Sequence, residues 1–142
     1  SLTIQNIRVF LTAPAGVRLV VVRVETSEPG LYGLGCATFT QRAHTVRSAV
    51  EDYLAPFLVG WDPDRIEDIH QACRLSGYWR SGPVLNNALS GVDQALWDIK
   101  GKRAGMPVYQ LLGGACRDHV PCYSHARGRD PQEVADAVRS LM

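Results

Sequence analysis

Pro83-Val-Leu-Asn-Asn-Ala-Leu-Ser-Gly-Val-Asp-Gln-Ala-Leu-Trp-Asp-Ile-Lys-Gly-Lys-Arg-Ala104, followed by Gly105-Met-Pro107, is the stretch on which the fold turns. Leu85, Ala88, Leu89, Val92, Ala95, Leu96 and Ile99 follow the 3.6-residue repeat and predict a long helix with one apolar stripe. Gly105 is placed to end it as a left-handed cap, and Pro107 prevents resumption. Asp98 and Lys102 are spaced as an i,i+4 pair on its surface, worth roughly a few tenths of a kcal/mol. A helix this long needs a wide apolar partner, and the residues before it supply one.

Thr3 to Leu11 alternates with Ile7, Val9 and Leu11 on one face, and Leu19 to Thr26 is rich in β-branched residues. Ala13-Pro14-Ala15-Gly16 turns the chain between them, Glu28-Pro29-Gly30 turns it again, and Leu31 to Thr38 reads as a third strand. The expected product is a three-stranded antiparallel meander with the long helix over one face. The glycines of Gly30-Leu-Tyr-Gly33-Leu-Gly35 lack the G-x-G-x-x-G order of a phosphate loop and sit in a strand pattern, so they mark a close backbone approach.

Between sheet and long helix the period is helical. Val46, Ala49, Val50, Tyr53 and Leu54 form a stripe that Pro56 is expected to stop. Asp62 reads as the N-cap of a shorter helix with Pro63 at its first position and Ile66, Ile69 and Cys73 on its inner face. After the long helix, Leu111-Leu112-Gly113-Gly114 reads as a hinge. Val120 to Ser124 then reads as a short strand, and Asp130-Pro131-Gln132-Glu133 opens a helix in a capping-box arrangement, with Val134, Ala137, Val138 and Leu141 as its stripe. One strand and one helix cannot bury their own faces, so they are expected to begin a parallel β/α structure whose later steps lie beyond Met142.

Composition narrows the function. With 15 Lys and Arg against 14 Asp and Glu among 142 residues, no broad field draws nucleic acid or an anionic membrane surface. The longest apolar run, Leu19 to Val24, is broken by Arg23 and falls short of the roughly 18 residues that span a bilayer. The opening Ser-Leu-Thr-Ile-Gln lacks the order of a secretory signal. Cys36, Cys73, Cys116 and Cys122 form no C-x-x-C pair, which predicts reduced core thiols and a cytoplasmic protein.

The stretches Tyr78-Trp-Arg-Ser-Gly-Pro83, Ala88 to Lys100 with its Ala95-Leu-Trp-Asp-Ile-Lys100 signature, and Ala104 to Gly114 ending in Leu-Leu-Gly-Gly resemble the enolase superfamily, mandelate racemase group. Tyr-Trp-Arg and Tyr123-Ser-His-Ala126 narrow the resemblance to the mannonate dehydratase and RspA-like subgroup. It implies an α+β capping domain over residues 1–115 and, from 116–142, the start of a (β/α)7β barrel, whose strand ends form the active site. The implied enzyme is a hydro-lyase on acid sugars. A base takes the proton α to a carboxylate, Mg²⁺ steadies the enediolate, and loss of the β-hydroxyl gives a 2-keto-3-deoxy acid. By this resemblance the metal ligands and the acid/base residues lie beyond Met142, so no catalytic or metal-binding residue falls in the chain and residues 1–142 alone are inactive. A homo-oligomer is also implied.

Two family positions that contact substrate do fall in the chain, at Thr40 and His125. Mannonate dehydratases carry Asn at the first, and Ala-Asn-Gly follows the histidine where this chain has Ala126-Arg127-Gly128. A hydroxyl in place of an amide removes donors, which implies weak or altered mannonate turnover. Arg127 adds a cation suited to an anionic group. Thr40 is also an expected N-cap, and Arg42 is either a carboxylate ligand or a solvated first-turn residue. His125 is alternatively a barrel-end histidine bonded to backbone. His44, His70 and His119 show no partner pattern and are expected at the surface. Asp93, Trp97 and Asp98 are expected to be structural, while Trp79 and Arg80 line either a pocket or a subunit contact. Two alternatives to a dehydratase stand beside it, a noncatalytic binding or regulatory paralogue and a racemase or lactonising enzyme of the same superfamily.

Overall fold

The computed structural model describes residues 1–142. Strands β1 (Ile4–Thr12), β2 (Leu19–Thr26) and β3 (Tyr32–Cys36) form one antiparallel sheet in the order β1-β2-β3. Alternation places Val20, Val22 and Val24 of β2 in the core, each with no exposed surface. Gly30, at φ 83°, makes the turn into β3, where the Thr26 hydroxyl donates to the Leu31 carbonyl at 2.8 Å.

The helices are α1 (Ala43–Ser48), a π-helical stretch (Ala49–Leu54), α2 (Ala55–Leu58), α3 (Ile66–Leu75), α4 (Pro83–Ala104), α5 (Val108–Leu111) and α6 (Pro131–Leu141). α4 has the expected bounds, and Gly105 caps it in the left-handed region at φ 63° and ψ 28°. Two helical expectations are corrected. Pro56 does not stop its helix. The π-helical stretch bonds the Ala55 N–H to the Val50 carbonyl, widening the turn ahead of the ring, and the helix runs on to Leu58. Asp62 caps a turn rather than α3: its Oδ1 accepts the Asp64 N–H at 2.9 Å and its carbonyl accepts the Arg65 N–H at 3.1 Å, so α3 begins only at Ile66.

α4 lies directly on the sheet because three glycines allow it. A Cβ on Gly33 would fall 1.8 Å from the Ala95 carbonyl oxygen, and one on Gly35 would fall 1.9 Å from that of Gly91. A Cβ on Gly91 would in turn fall 2.6 Å from the Ala37 Cβ and 2.7 Å from a Val22 methyl. Backbone touches backbone here, as the strand glycines predicted. Around this contact Ile4, Val46, Val50, Leu58, Ile69, Val92, Leu96 and Ile99 complete the core.

The outer edge of β3 is closed by side chains of α4 rather than by a fourth strand. The Leu34 N–H donates to Asp98 at 2.9 Å, the Cys36 N–H donates to Gln94 at 3.0 Å, and Lys102 donates to the Tyr32 carbonyl at 2.7 Å while pairing with Asp98 at 2.8 Å. Gln94, Asp98 and Lys102 stand four residues apart, one per turn, opposite alternate strand residues. An edge that would otherwise recruit another chain is thereby satisfied. Asp98→Ala is expected to cost about 1–2 kcal/mol, because it orphans the Leu34 N–H and frees Lys102. A urea midpoint shift at unchanged slope is the readout.

The cysteines are unbridged, but only Cys73 lies in the core; Cys36, Cys116 and Cys122 are exposed, which corrects the expectation for those three. Burial pushes the Cys73 thiol up from 9.0 to about 11. The folded state therefore holds that proton when the unfolded chain releases it, so this contribution is full below pH 9 and disappears as pH rises to about 11. Iodoacetamide at pH 8 is expected to label three thiols in the native protein and Cys73 only after unfolding. Between pH 8 and 10.5 the wild type should lose about 2 kcal/mol more stability than Cys73→Ala.

Beyond Gly101 no residue is buried. Gly113 and Gly114 have φ of 117° and 100°, and residues 115–130 carry no regular structure. The strand expected over Val120 to Ser124 is absent. A strand exists by pairing, and the one sheet holds β1, β2 and β3 alone, none of them paired with these residues. α6 needs no such partner. Asp130 accepts the Glu133 N–H at 2.9 Å while Glu133 accepts the Arg129 N–H at 2.8 Å, a capping box closed one residue early. Its Val138 and Leu141 remain 43% and 55% exposed. No helix is long and apolar enough to cross a membrane.

Candidate functional site

Thr40 opens a single 3-10 turn, Thr40–Arg42, that joins the sheet to α1. Its hydroxyl donates to the Arg18 carbonyl at 3.3 Å, and its neighbour Thr38 accepts the Val20 N–H at 3.0 Å. Two threonines thus pin this loop to the start of β2. The expected N-cap role is corrected: Phe39 precedes the turn and Arg42 precedes α1, and neither helix start has a side-chain cap. With its one proton held by Arg18, the Thr40 hydroxyl is left with lone pairs to offer a ligand. The Arg42 guanidinium donates to the adjacent Gln41 carbonyl at 2.7 Å.

His125 lies in the irregular segment, exposed, with its ring edge-on to Tyr123 at 5.3 Å between centroids. Arg127 is exposed and in no ion pair. No hydrogen bond joins Thr40 to His125, the Thr40 hydroxyl being turned to the Arg18 carbonyl. A hydroxyl acceptor, an imidazole and a guanidinium can recognise hydroxyls and a carboxylate. Removing a carbon-bound proton demands more than these.

Asp98 belongs to the edge clasp and Trp97 packs half-buried beside the core. The His70 Nδ1 lies 3.4 Å from the Asp93 Oδ1, joining α3 to α4. That corrects the reading of His70 as partnerless: its partner lies 23 residues away, where local spacing carries no signal. No group of three His, Cys, Asp or Glu side chains is disposed to hold a metal ion.

Sequence reasoning missed the clasp of Gln94, Asp98 and Lys102, although its four-residue spacing was readable. It also assigned Tyr53 and Leu85 to apolar stripes. Both are exposed, at 72% and 46%, and line a groove of about 430 Å³ between the π-helical stretch, the end of α3 and the start of α4. Trp79 and Arg80 form part of its wall.

Residues 3–113 match the family model for the mandelate racemase / muconate lactonizing enzyme, N-terminal domain. The chain is 65% identical over 141 residues to a D-galactonate dehydratase family member from Musicola paradisiaca (strain Ech703), covering 99% of this chain and 34% of that protein. It is 64% identical over 142 residues to the D-galactonate dehydratase family member RspA of Pantoea ananatis (strain LMG 20103), covering 100% and 34%. A crystal structure of an enolase from Pantoea ananatis with bound D-gluconate and Mg superposes with a TM-score of 0.90 at 64% identity, over 99% of this chain and 34% of that one. The chain spans about a third of the length of these relatives.

Proposed function

Because the chain belongs to the mandelate racemase / muconate lactonizing enzyme family of the enolase superfamily, we propose that it is the substrate-selecting part of a Mg²⁺-dependent acid-sugar dehydratase of the cytoplasm. The observation that carries this reading is 64% identity, over 99% of the chain, to a protein that binds D-gluconate and Mg. A division near residue 115, with 1–115 as cap and 116–142 opening a barrel, is supported by the family match ending at 113 and by the exposed stripe of α6. The unbridged thiols support the location.

In this reading the cap and the first barrel segment recognise the substrate, and the later barrel reacts. Thr40, its proton committed to Arg18, accepts a hydrogen bond from a sugar hydroxyl. His125 bonds a second oxygen, and Arg127 pairs with a carboxylate. The net reaction removes the proton α to the carboxylate and expels the β-hydroxyl as water, leaving a 2-keto-3-deoxy acid. The side chains of residues 1–142 do not assemble a metal-holding set, so no step through the ion is assigned to them.

The test joins residues 1–142 to the remaining two-thirds of the Pantoea ananatis relative and assays aldonates with Mg²⁺ for 2-keto acids. The expected result is dehydration of at least one aldonate by the joined protein and none by the 142-residue chain. A joined protein that folds and binds Mg²⁺ but only epimerises or lactonises its substrates refutes the reaction class; one that only binds them favours a noncatalytic paralogue. Thr40→Asn in the joined protein is expected to raise the mannonate-to-gluconate ratio of kcat/KM by about tenfold or more, since an amide restores a donor.

A further inference from the structure

The ladder between β2 and β3 ends at Val21 and Cys36, yet the chain after it stays tied to β2. The Ala37 N–H donates to the Val20 carbonyl at 2.9 Å. At the next position a side chain replaces the backbone, and the Thr38 hydroxyl accepts the Val20 N–H at 3.0 Å. Two residues on, the Thr40 hydroxyl donates to the Arg18 carbonyl at 3.3 Å. Thr38 and Thr40, on either side of the extended Phe39, thus use alternate positions of one stretch to hold alternate residues of the neighbouring chain, Val20 and Arg18.

The two anchors are unequal. Val20 has no exposed surface, so its N–H is closed to water and relies on the Thr38 oxygen. The Thr40 bond is longer and lies at the surface, where water competes for the Arg18 carbonyl. Phe39 packs against the core and holds the segment down, but a ring in van der Waals contact does not fix how the backbone rolls about it. Thr38 does. Its oxygen also accepts from the Cys36 thiol at 3.1 Å, and a β-branched side chain bonded at both lone pairs is held to one rotamer.

We infer that Thr38 is a positioning residue for Thr40: its bond to the Val20 N–H sets the roll of the loop, and with it the direction in which the Thr40 lone pairs meet a substrate. The inference rests on the substrate role given to Thr40 above. Thr38 acts through Thr40, its own oxygen being spent on donors within the chain. A displacement of about 1 Å at a recognition group is enough to cost on the order of a hundredfold, so the anchor shielded from water governs the one exposed to it.

The joined protein tests it with Thr38→Val, which keeps the branched shape and removes the acceptor, Thr38→Ser, which keeps the acceptor, and Thr40→Val. The readouts are deuterium exchange at the Val20 N–H, the dissociation constant for D-gluconate with Mg²⁺, and KM against kcat on any aldonate turned over. Thr38→Val is expected to speed exchange at Val20 and to weaken D-gluconate binding, each at least about tenfold, with KM raised and kcat held. Thr38→Ser should stay within about threefold of the wild type in both. With Thr40→Val already present, Thr38→Val should add less than about twofold, because the two substitutions then remove one interaction. If Thr38→Val quickens exchange but leaves binding intact while Thr40→Val weakens it, the inference is overturned and the substrate role of Thr40 stands. A Thr38→Val loss undiminished in the Thr40→Val background overturns it equally, as does exchange at Val20 that ignores Thr38→Val. Wild-type D-gluconate binding by Thr40→Val itself is the distinct result that sinks the substrate role of Thr40, and the positioning role with it.

Discussion

Gly33→Ala and Gly35→Ala are each expected to abolish the native fold or to cost at least about 4 kcal/mol, well beyond an ordinary point substitution. The new methyl at either position would lie within 1.9 Å of a carbonyl oxygen of α4. Neither neighbour can yield alone. The Ala95 and Gly91 carbonyls belong to the helix whose Gln94, Asp98 and Lys102 hold the edge of β3. Lifting the helix to admit a methyl would break the clasp and open the core around Val92, Leu96 and Ile99 together. Gly30→Ala is the control: its φ is 83° but nothing lies within 4 Å of the added carbon. It should cost only about 1 kcal/mol, the strain of a left-handed alanine. Urea unfolding followed by circular dichroism separates the two cases. A Gly33→Ala protein with a midpoint near that of Gly30→Ala would show that α4 does not rest on the strand backbone.

His125→Ala, in the joined protein, is expected to lower kcat/KM at least about a hundredfold, since a site built on hydrogen bonds rejects an arrangement that leaves substrate groups unpaired. Stability should not follow. His125 is exposed and makes no hydrogen bond in residues 1–142, its one aromatic neighbour being Tyr123. An unchanged unfolding midpoint beside a large kinetic loss is therefore the signature sought. His125→Gln, which keeps a donor and an acceptor, should recover part of the loss. A loss below about threefold for His125→Ala would remove this residue from the substrate site and leave Thr40 and Arg127 as the recognition positions carried by the chain.

The legible parts share a property: near neighbours set them. The long helix was readable from Val92, Ala95, Leu96 and Ile99 and from the Gly105 cap, all within a few turns of one another. The capping box at Asp130 and Glu133 spans three residues. The glycines of β3 were readable as a close approach because a strand offers few other uses for them. Pro56 was misread because a ring that breaks an α-turn is tolerated after a π-turn, a choice that depends on what Val50 and Leu58 bury against. Thr40 was placed by resemblance. That its proton goes to the Arg18 carbonyl, 22 residues earlier in the chain, follows only from the way β3 returns alongside β2.

By itself the sequence determined the family, the meander and the helix laid over it, because alternation, helical period and glycine placement are properties of short stretches that the backbone reads locally. Tertiary structure alone decided that Asp98 serves a strand edge, that His70 meets Asp93, that Val120 to Ser124 stays unpaired and that Tyr53 faces outward into a groove. Each of those outcomes depends on which distant group comes within hydrogen-bonding or van der Waals reach. That distance is set only when the whole chain has packed.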